Sequence, residues 1–230
     1  MPFKFEQHFD EASFTFTYFI IDENKKELAI VDSVKEHTQQ YVEIIKQRGL
    51  TLKYLLETHV HADHITANAK LLEFFPSAKI AMHKECAVTL PFFPLSDGQI
   101  INVGDVSIQC LYTPGHTSDS VCFIVNNDRI LTGDTVLIDS CGRTDFQAGN
   151  TKQMFESLQK VANLDYNILI YPAHDYKNRR VSCVGEQRLL NKLMAMSYLE
   201  LKTEVDSWNL PEPKRLHEAV PANLRCGAEN

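Results

Sequence analysis

Apolar and polar residues alternate with period two from Ser13 to Ile21, where Phe14, Phe16 and Tyr18 stand against Thr15 and Thr17. The polar turn Asp22-Glu23-Asn24-Lys25 and the apolar run Leu28 to Val31 complete a predicted hairpin. A period near 3.6 then takes over and predicts a helix from about Lys35 to Gln47, stopped by Gly49. Tyr54-Leu55-Leu56 reads as a buried strand, Ile65 to Phe75 as a helix ended by Pro76, and Ala78 to Met82 as a short strand. Pro91-Phe92-Phe93-Pro94 and Asp97-Gly98 mark a loop. The second half repeats the order, with strands at Ile100 to Val103, Val106 to Tyr112, Val121 to Val125 and Ile130 to Thr132. A helix follows from Lys152 to Val161, a strand from Ile168 to Tyr171, and helical periodicity from Val184 to Trp208. Pro211 to Asn230 carries three prolines and no clear period, and is expected to run over the surface as an ordered tail. Two such blocks predict sheets packed face to face with helices outside, a layered α+β arrangement.

The chain has 230 residues, 44% hydrophobic and 23% charged, enough for one large domain spanning residues 1–230. No apolar stretch reaches the roughly 18 residues of a membrane span, and Met-Pro-Phe-Lys-Phe-Glu-Gln-His lacks the start of a secretory leader. A soluble, cytoplasmic protein is expected. Cys86, Cys110, Cys122, Cys141, Cys183 and Cys226 form no Cys-x-x-Cys pair, which suits reduced thiols used as small core residues. A net charge of −7 argues against nucleic acid or an anionic membrane as partner. An anionic substrate would need a local basic pocket.

The candidate chemistry is concentrated at the ends of predicted strands. Glu57-Thr58-His59-Val60-His61-Ala62-Asp63-His64 places three histidines and an aspartate within a few positions. If the strand continues through them, His59 and His61, two apart, point to one side and converge on one ion, with Asp63 and His64 directed towards a second. His116 follows the Val106 to Tyr112 strand, Asp134 the Ile130 strand, and His174 the Ile168 strand. Ligands at several strand ends meet at one edge of a sandwich, on loops that a rigid scaffold holds. His8, His37, His83 and His217 have no such context and are read as surface residues.

Thr58-His59-Val60-His61-Ala62-Asp63-His64, followed in order by His116, Asp134 and His174, resembles the metallo-β-lactamase superfamily. That resemblance implies a four-layer αββα sandwich with the metal site at one edge. Cys141-Gly142-Arg143-Thr144-Asp145-Phe146-Gln147, Tyr171-Pro172-Ala173-His174-Asp175-Tyr176 and Val220-Pro221-Ala222-Asn223-Leu224-Arg225-Cys226-Gly227 are similar to the persulfide dioxygenases, also called sulfur or ethylmalonic-encephalopathy-type dioxygenases. The resemblance implies one Fe(II) per chain on His59, His116 and Asp134, with His61, Asp63, His64 and His174 around those ligands. It also implies oxidation of glutathione persulfide by dioxygen and water to sulfite and glutathione. Two histidines and a carboxylate on one face, with open positions, suit Fe(II) and oxygen.

Ligand counting alone allows another reading. Two zinc ions sharing Asp134 would take His59, His61 and His116 on one side and Asp63, His64 and His174 on the other, the arrangement of the neighbouring glyoxalase II family. The alternatives are therefore a binuclear zinc hydroxyacylglutathione hydrolase and, further off, a non-catalytic metal-binding scaffold.

Glutathione carries two carboxylates, and Arg143 is the first candidate to grip one through paired hydrogen bonds. By similarity Tyr176 and Arg225 are the next. Lys177, Arg179 and Arg180 read as a solvated charge run. Cys141 and Cys226 are not needed as nucleophiles, but near basic residues either is open to oxidation or persulfidation. After Pro114-Gly115-His116-Thr117 the family resemblance leads one to expect a glycine near Asp119, and the extra carboxylate is able to alter the loop. No appended rhodanese domain is seen, so persulfide formation is expected from a separate protein. Phe92-Phe93 and the C-terminal tail offer contact surfaces for a homo-oligomer.

Overall fold

The structure is a computed structural model that describes residues 3–228. The apolar alternation becomes β2 (Thr15–Asp22), which pairs antiparallel with β3 (Glu27–Val31) as the hairpin reading expects. Both faces of β2 are buried: Phe16, Tyr18 and Ile20 enter one apolar cluster, Phe19 and Ile21 another. Thr15 and Thr17 are therefore not a solvent face. The Thr17 hydroxyl donates to the Asp32 carbonyl at 2.7 Å, which satisfies it inside the protein.

An N-terminal strand, β1 (Lys4–Asp10), was not expected from the pattern and pairs with β2 along its length. β4 (Thr51–Leu56) and β5 (Lys79–His83) follow β3 in parallel. β6 (Phe93–Leu95) closes the sheet in the stretch read as a loop. Pro94 is tolerated there because an edge strand leaves one row of N–H positions unpaired. Phe92 and Phe93 are half-buried, each packing against one apolar cluster, so they do not form an exposed contact patch. The first sheet runs β1-β2-β3-β4-β5-β6.

The second sheet is built from β7 (Ile100–Val103), β8 (Val106–Tyr112), β9 (Val121–Val125), β10 (Arg129–Gly133), β11 (Leu169–Pro172) and the short β12 (Ser182–Cys183). Its order is β12-β11-β10-β9-β8-β7, with only β10 and β11 parallel.

Three apolar layers follow from this arrangement. Phe16, Val31, Leu56, Ile108, Phe123 and Leu131 fill the space between the sheets. α1 (Thr38–Arg48) and α2 (Asn68–Phe74) cover the outer face of the first sheet through Tyr41, Val42, Ile45 and Leu71. α3 (Thr151–Ala162), α4 (Val184–Leu190), α5 (Lys192–Ala195) and α6 (Tyr198–Asp206) cover the second through Met154, Leu158, Val184, Leu193 and Leu201. The result is the expected αββα sandwich, stabilised by side chains whose full burial contributes about 1.5–3 kcal/mol each.

Two helical expectations change. The Val184 to Trp208 periodicity is divided into three helices, because Asn191 caps a new helix by accepting the Leu193 N–H and Ser197 opens another with a reciprocal capping box to Glu200. The proline-bearing tail contains α7 (Leu216–Asn223), with Pro221 inside it. Val220, Leu224 and Cys226 pack into the outer cluster of the first sheet, so this segment is part of the fold and not a surface strip. Glu229 and Asn230, the end of that predicted tail, lie outside the described residues, as do Met1 and Pro2.

Candidate metal centre

β4 ends at Leu56, and the chain from Glu57 to Ala67 is loop. His59 and His61 therefore do not share a strand face. Their rings lie 4.1 Å apart at the centroids, yet they meet different hydrogen-bond partners, because strand periodicity does not govern a loop.

The hydroxyl of Thr58 donates to Asp32 Oδ2 at 2.9 Å and lies 3.0 Å from His59 Nδ1. Its one hydrogen is committed to Asp32, so it accepts from His59 Nδ1–H. That fixes the tautomer and leaves the His59 Nε2 lone pair free. His116 reaches the same state from another loop, with Nδ1 donating to the Arg143 carbonyl at 2.7 Å. Its Nε2 lies 3.4 Å from Asp134 Oδ2. One donor atom each from His59, His116 and Asp134 lie within 4.8 Å of one another. Burial, then the neighbouring His61 and His116, hold His59 well below the usual histidine range, which keeps it neutral and able to ligate.

His61 turns one ring nitrogen to a buried pair of acids. Its Nε2 lies 3.1 Å from Asp32 Oδ1 and 3.1 Å from Glu57 Oε2, all three side chains being buried. Burial alone would lower its pKa, but Asp32 and Glu57 outweigh this and lift it well above the usual histidine range. Glu57 is itself steadied by Thr66 Oγ1 at 2.5 Å and Asn68 Nδ2 at 2.6 Å.

Asp63, His64 and His174 complete the surroundings. His64 Nδ1 meets Asp63 Oδ2 at 3.0 Å, and Thr15 Oγ1 donates to the same oxygen at 2.8 Å. His174 Nδ1 donates to the Phe14 carbonyl at 3.2 Å, and its Nε2 lies 3.4 Å from Asp134 Oδ1. Among the described residues, His61 Nδ1, His64 Nε2 and Asp134 Oδ1 are buried without hydrogen-bond partners. Buried orphans of this kind are costly unless something occupies the space they face, and nitrogen and oxygen donors at this spacing fit a metal ion.

The distinctive strings have structural reasons. A Cβ on Gly142 would stand 2.5 Å from the Asp134 carbonyl oxygen and 2.9 Å from His116 Nδ1, so only glycine lets this loop close over two candidate ligands. Gly227 has φ +77°, and a Cβ there would meet the Thr66 carbonyl oxygen at 2.1 Å. Asn223 binds the ligand loop directly, accepting Thr66 N–H at 2.9 Å and donating to the carbonyls of His61 at 2.9 Å and His64 at 2.8 Å. Asn223, Asp32, Glu57, Thr58 and Thr15 were not singled out as site residues by sequence reasoning. For Asn223 the signal was present, since it lies inside a string already singled out.

The glutathione candidates are less uniform. Arg143 grips Asp145 with Nε and Nη2 at 2.6 Å and 2.7 Å, donates Nη1 to the Pro211 carbonyl at 2.6 Å, and covers the Phe146 ring. Tyr176 is exposed and stacks on His174, with ring centroids 5.1 Å apart and planes at 14°. Tyr176 and His174 border a cleft of about 140 Å³ together with Ile138, Lys177 and Arg179. Lys177 and Arg179 thus line a cavity and face Asp139, beyond being a solvated run. Arg225 is half-buried and its Nε has no hydrogen-bond partner.

Several expectations about other residues are corrected. His83 is buried and stacks flat on Tyr112 at 3.9 Å, and His8 is half-buried against Phe19. Cys141 and Cys226 are buried, and burial pushes each thiol up to about 12, so neither has the ionised character that oxidation or persulfidation favours.

The metallo-β-lactamase superfamily model matches residues 11–174. Mitochondrial persulfide dioxygenase ETHE1 of Bos taurus and of Homo sapiens are each 37% identical over 99% of this chain and 90% of their own length. The chain belongs to the persulfide dioxygenases. It is an oxidoreductase of the metallo-β-lactamase fold, and its His59, His116 and Asp134 cluster has the donor set of a non-haem iron centre. The crystal structure of ETHE1 from Myxococcus xanthus superposes with a TM-score of 0.93 at 38% identity, covering 99% of this chain and 100% of that one. A hydroxyacylglutathione hydrolase from Francisella tularensis is 36% identical, but over only 70% of the dioxygenase chain and 63% of its own. No described helix is long and apolar enough to cross a membrane.

Proposed function

We propose that the dioxygenase converts glutathione persulfide, dioxygen and water to sulfite and glutathione, using one Fe(II) held by His59, His116 and Asp134. The observation that carries this reading is the convergence of three donors, His59 and His116 presenting free Nε2 atoms beside Asp134, in a chain that belongs to the persulfide dioxygenases. A two-zinc hydrolase would recruit His61 as well, through the unpartnered Nδ1, so metal content separates the two readings.

Bound there, Fe(II) supplies the redox chemistry through which persulfide sulfur and dioxygen react. The protein holds the ligands: Thr58 and the Arg143 carbonyl keep His59 and His116 in the ligating tautomer. His174 Nε2 stands 3.4 Å from Asp134 Oδ1, and Asp63 and His64 border the same space. For the thiol carrier, the arrangement supports Arg143 as a carboxylate clamp, with exposed Asp145 as the partner that substrate displaces. Tyr176 at the rim and Arg225 with its unpartnered Nε are the further candidates.

The same reading takes residues 1–230 as one domain that forms no complex with nucleic acid or membrane and has the capacity to form a homo-oligomer. Free cysteines suit a reducing compartment such as the cytoplasm, although the mammalian relatives are described as mitochondrial.

Metal analysis of protein purified without oxygen or added metal, with oxygen uptake and sulfite release on glutathione persulfide, tests the proposal. About one iron per chain with both activities is expected. Two zinc ions and hydrolysis of S-lactoylglutathione would establish the hydrolase instead, and neither metal nor reaction would leave a scaffold.

A further inference from the structure

Asp119 lies in the loop after His116, is 6% exposed, and accepts the Val60 N–H on Oδ2 at 3.0 Å. Val60 stands between His59 and His61 and is itself 6% exposed, so its amide has no ready access to water. On its other side the Val60 carbonyl accepts from Gln147 Nε2 at 2.7 Å. The peptide plane leading from His59 is thus held through its N–H, and the plane leading to His61 through its C=O. Asp119 and Gln147 come from the loops that carry His116 and follow Asp134, so the grip connects all three ligand-bearing segments.

A carboxylate acceptor strengthens the bond to an amide N–H, and losing it would leave a buried donor unsatisfied. The environment of Asp119 is closed on the β5 side as well, where burial and then the Asp119 carboxylate keep the Cys86 thiol protonated. Burial lowers the pKa of His83, at the end of β5, against the opposing pull of Glu85 and Asp119.

We infer that Asp119 is a positioning residue that sets the His59-Val60-His61 backbone for metal before the ion arrives. The inference rests on His59, His116 and Asp134 being the ligands. It gives the carboxylate at position 119 a purpose: it joins the His116 loop to the His59 loop across the centre.

The test measures amide hydrogen exchange at Val60 in metal-free protein and Fe(II) affinity by anaerobic titration, for wild type, Asp119→Ala and Asp119→Asn. Asparagine retains an oxygen acceptor, so Asp119→Asn should keep both Val60 protection and Fe(II) affinity. Asp119→Ala should expose the Val60 amide and weaken Fe(II) binding about 10-fold to 100-fold, the usual effect of removing a group that orients a ligand. Wild-type protection and affinity in Asp119→Ala would overturn the inference. So would weakened Fe(II) binding in Asp119→Asn with Val60 still protected, an arm that decides the matter even if Asp119→Ala does not fold. Two zinc ions per chain with the predicted Val60 exchange pattern would refute the iron reading and leave the positioning role standing.

Discussion

His61 and Asp32 meet at 3.1 Å where each side chain is 1% exposed. Asp32 also accepts the Thr58 N–H at 2.7 Å and the Thr58 hydroxyl at 2.9 Å, so one buried carboxylate steadies two neighbouring histidines in different ways. Through Thr58 it fixes the tautomer of His59, and by direct contact it anchors His61.

Replacing the two histidines separately should therefore give opposite phenotypes. His59→Ala removes a ligand and is expected to abolish iron binding with little change in the stability of the metal-free protein. His61→Ala leaves Asp32 and Glu57 as an uncompensated buried pair, which should cost about 3–5 kcal/mol of stability. Its iron affinity should fall only about 10-fold to 100-fold. Denaturant melts and metal analysis read the two effects, and equal metal loss in both variants would favour the binuclear hydrolase.

Arg143→Ala should weaken kcat/KM for glutathione persulfide by roughly 10-fold to 150-fold, equivalent to a lost charged hydrogen bond of about 1.5–3 kcal/mol. Iron should stay bound, because His116 is held by the Arg143 backbone carbonyl, which alanine retains. Loss of iron, or unchanged kinetics, would refute the clamp.

Asn223→Ala removes the acceptor for Thr66 N–H and the donor to two loop carbonyls in a buried place. A loss of about 2–4 kcal/mol in the metal-free protein is expected from those unsatisfied groups. Thermal melts check it, and an unchanged melting temperature would show that α7 does not support the ligand loop.

Alkaline pH should destabilise the fold through its buried thiols and phenols. Burial pushes Cys122 up to about 11 and Tyr41 up to about 12, above their ordinary values near 9 and 10. A raised folded-state pKa means that the folded form binds more protons, so the contribution is complete below the unfolded value and is lost as pH rises through the folded one. For Cys122 the loss runs from about pH 9 to about pH 11 and is on the order of 3 kcal/mol. Melting temperatures across that window should fall, and Cys122→Ala should show a shallower fall; equal slopes would exclude the thiol as a source.

Much of the αββα order was legible because it depends on short-range periodicity. The hairpin, the α1 stop at Gly49, and four strands of the second sheet follow from alternation and turn residues alone. β1, β6 and β12 were not, since edge strands acquire their status from the neighbour they pair with, and Pro94 argued locally for a loop. The metal-ligand candidates were legible for a different reason: each sits directly after an apolar run, and side chains of that chemistry clustered together are uncommon.

Which partners each of those candidates meets was decided only by the tertiary structure. His59 and His61 are two positions apart and chemically identical, and nothing local distinguishes them. Asp32, at the end of β3, and Glu57, before the ligand loop, take His61 Nε2, while Arg143, far along the chain, orients His116. The sequence by itself determined the donor set and the strand ends that carry it. Folding determined the tautomers and partners, because hydrogen bonds between distant segments set the direction of each lone pair.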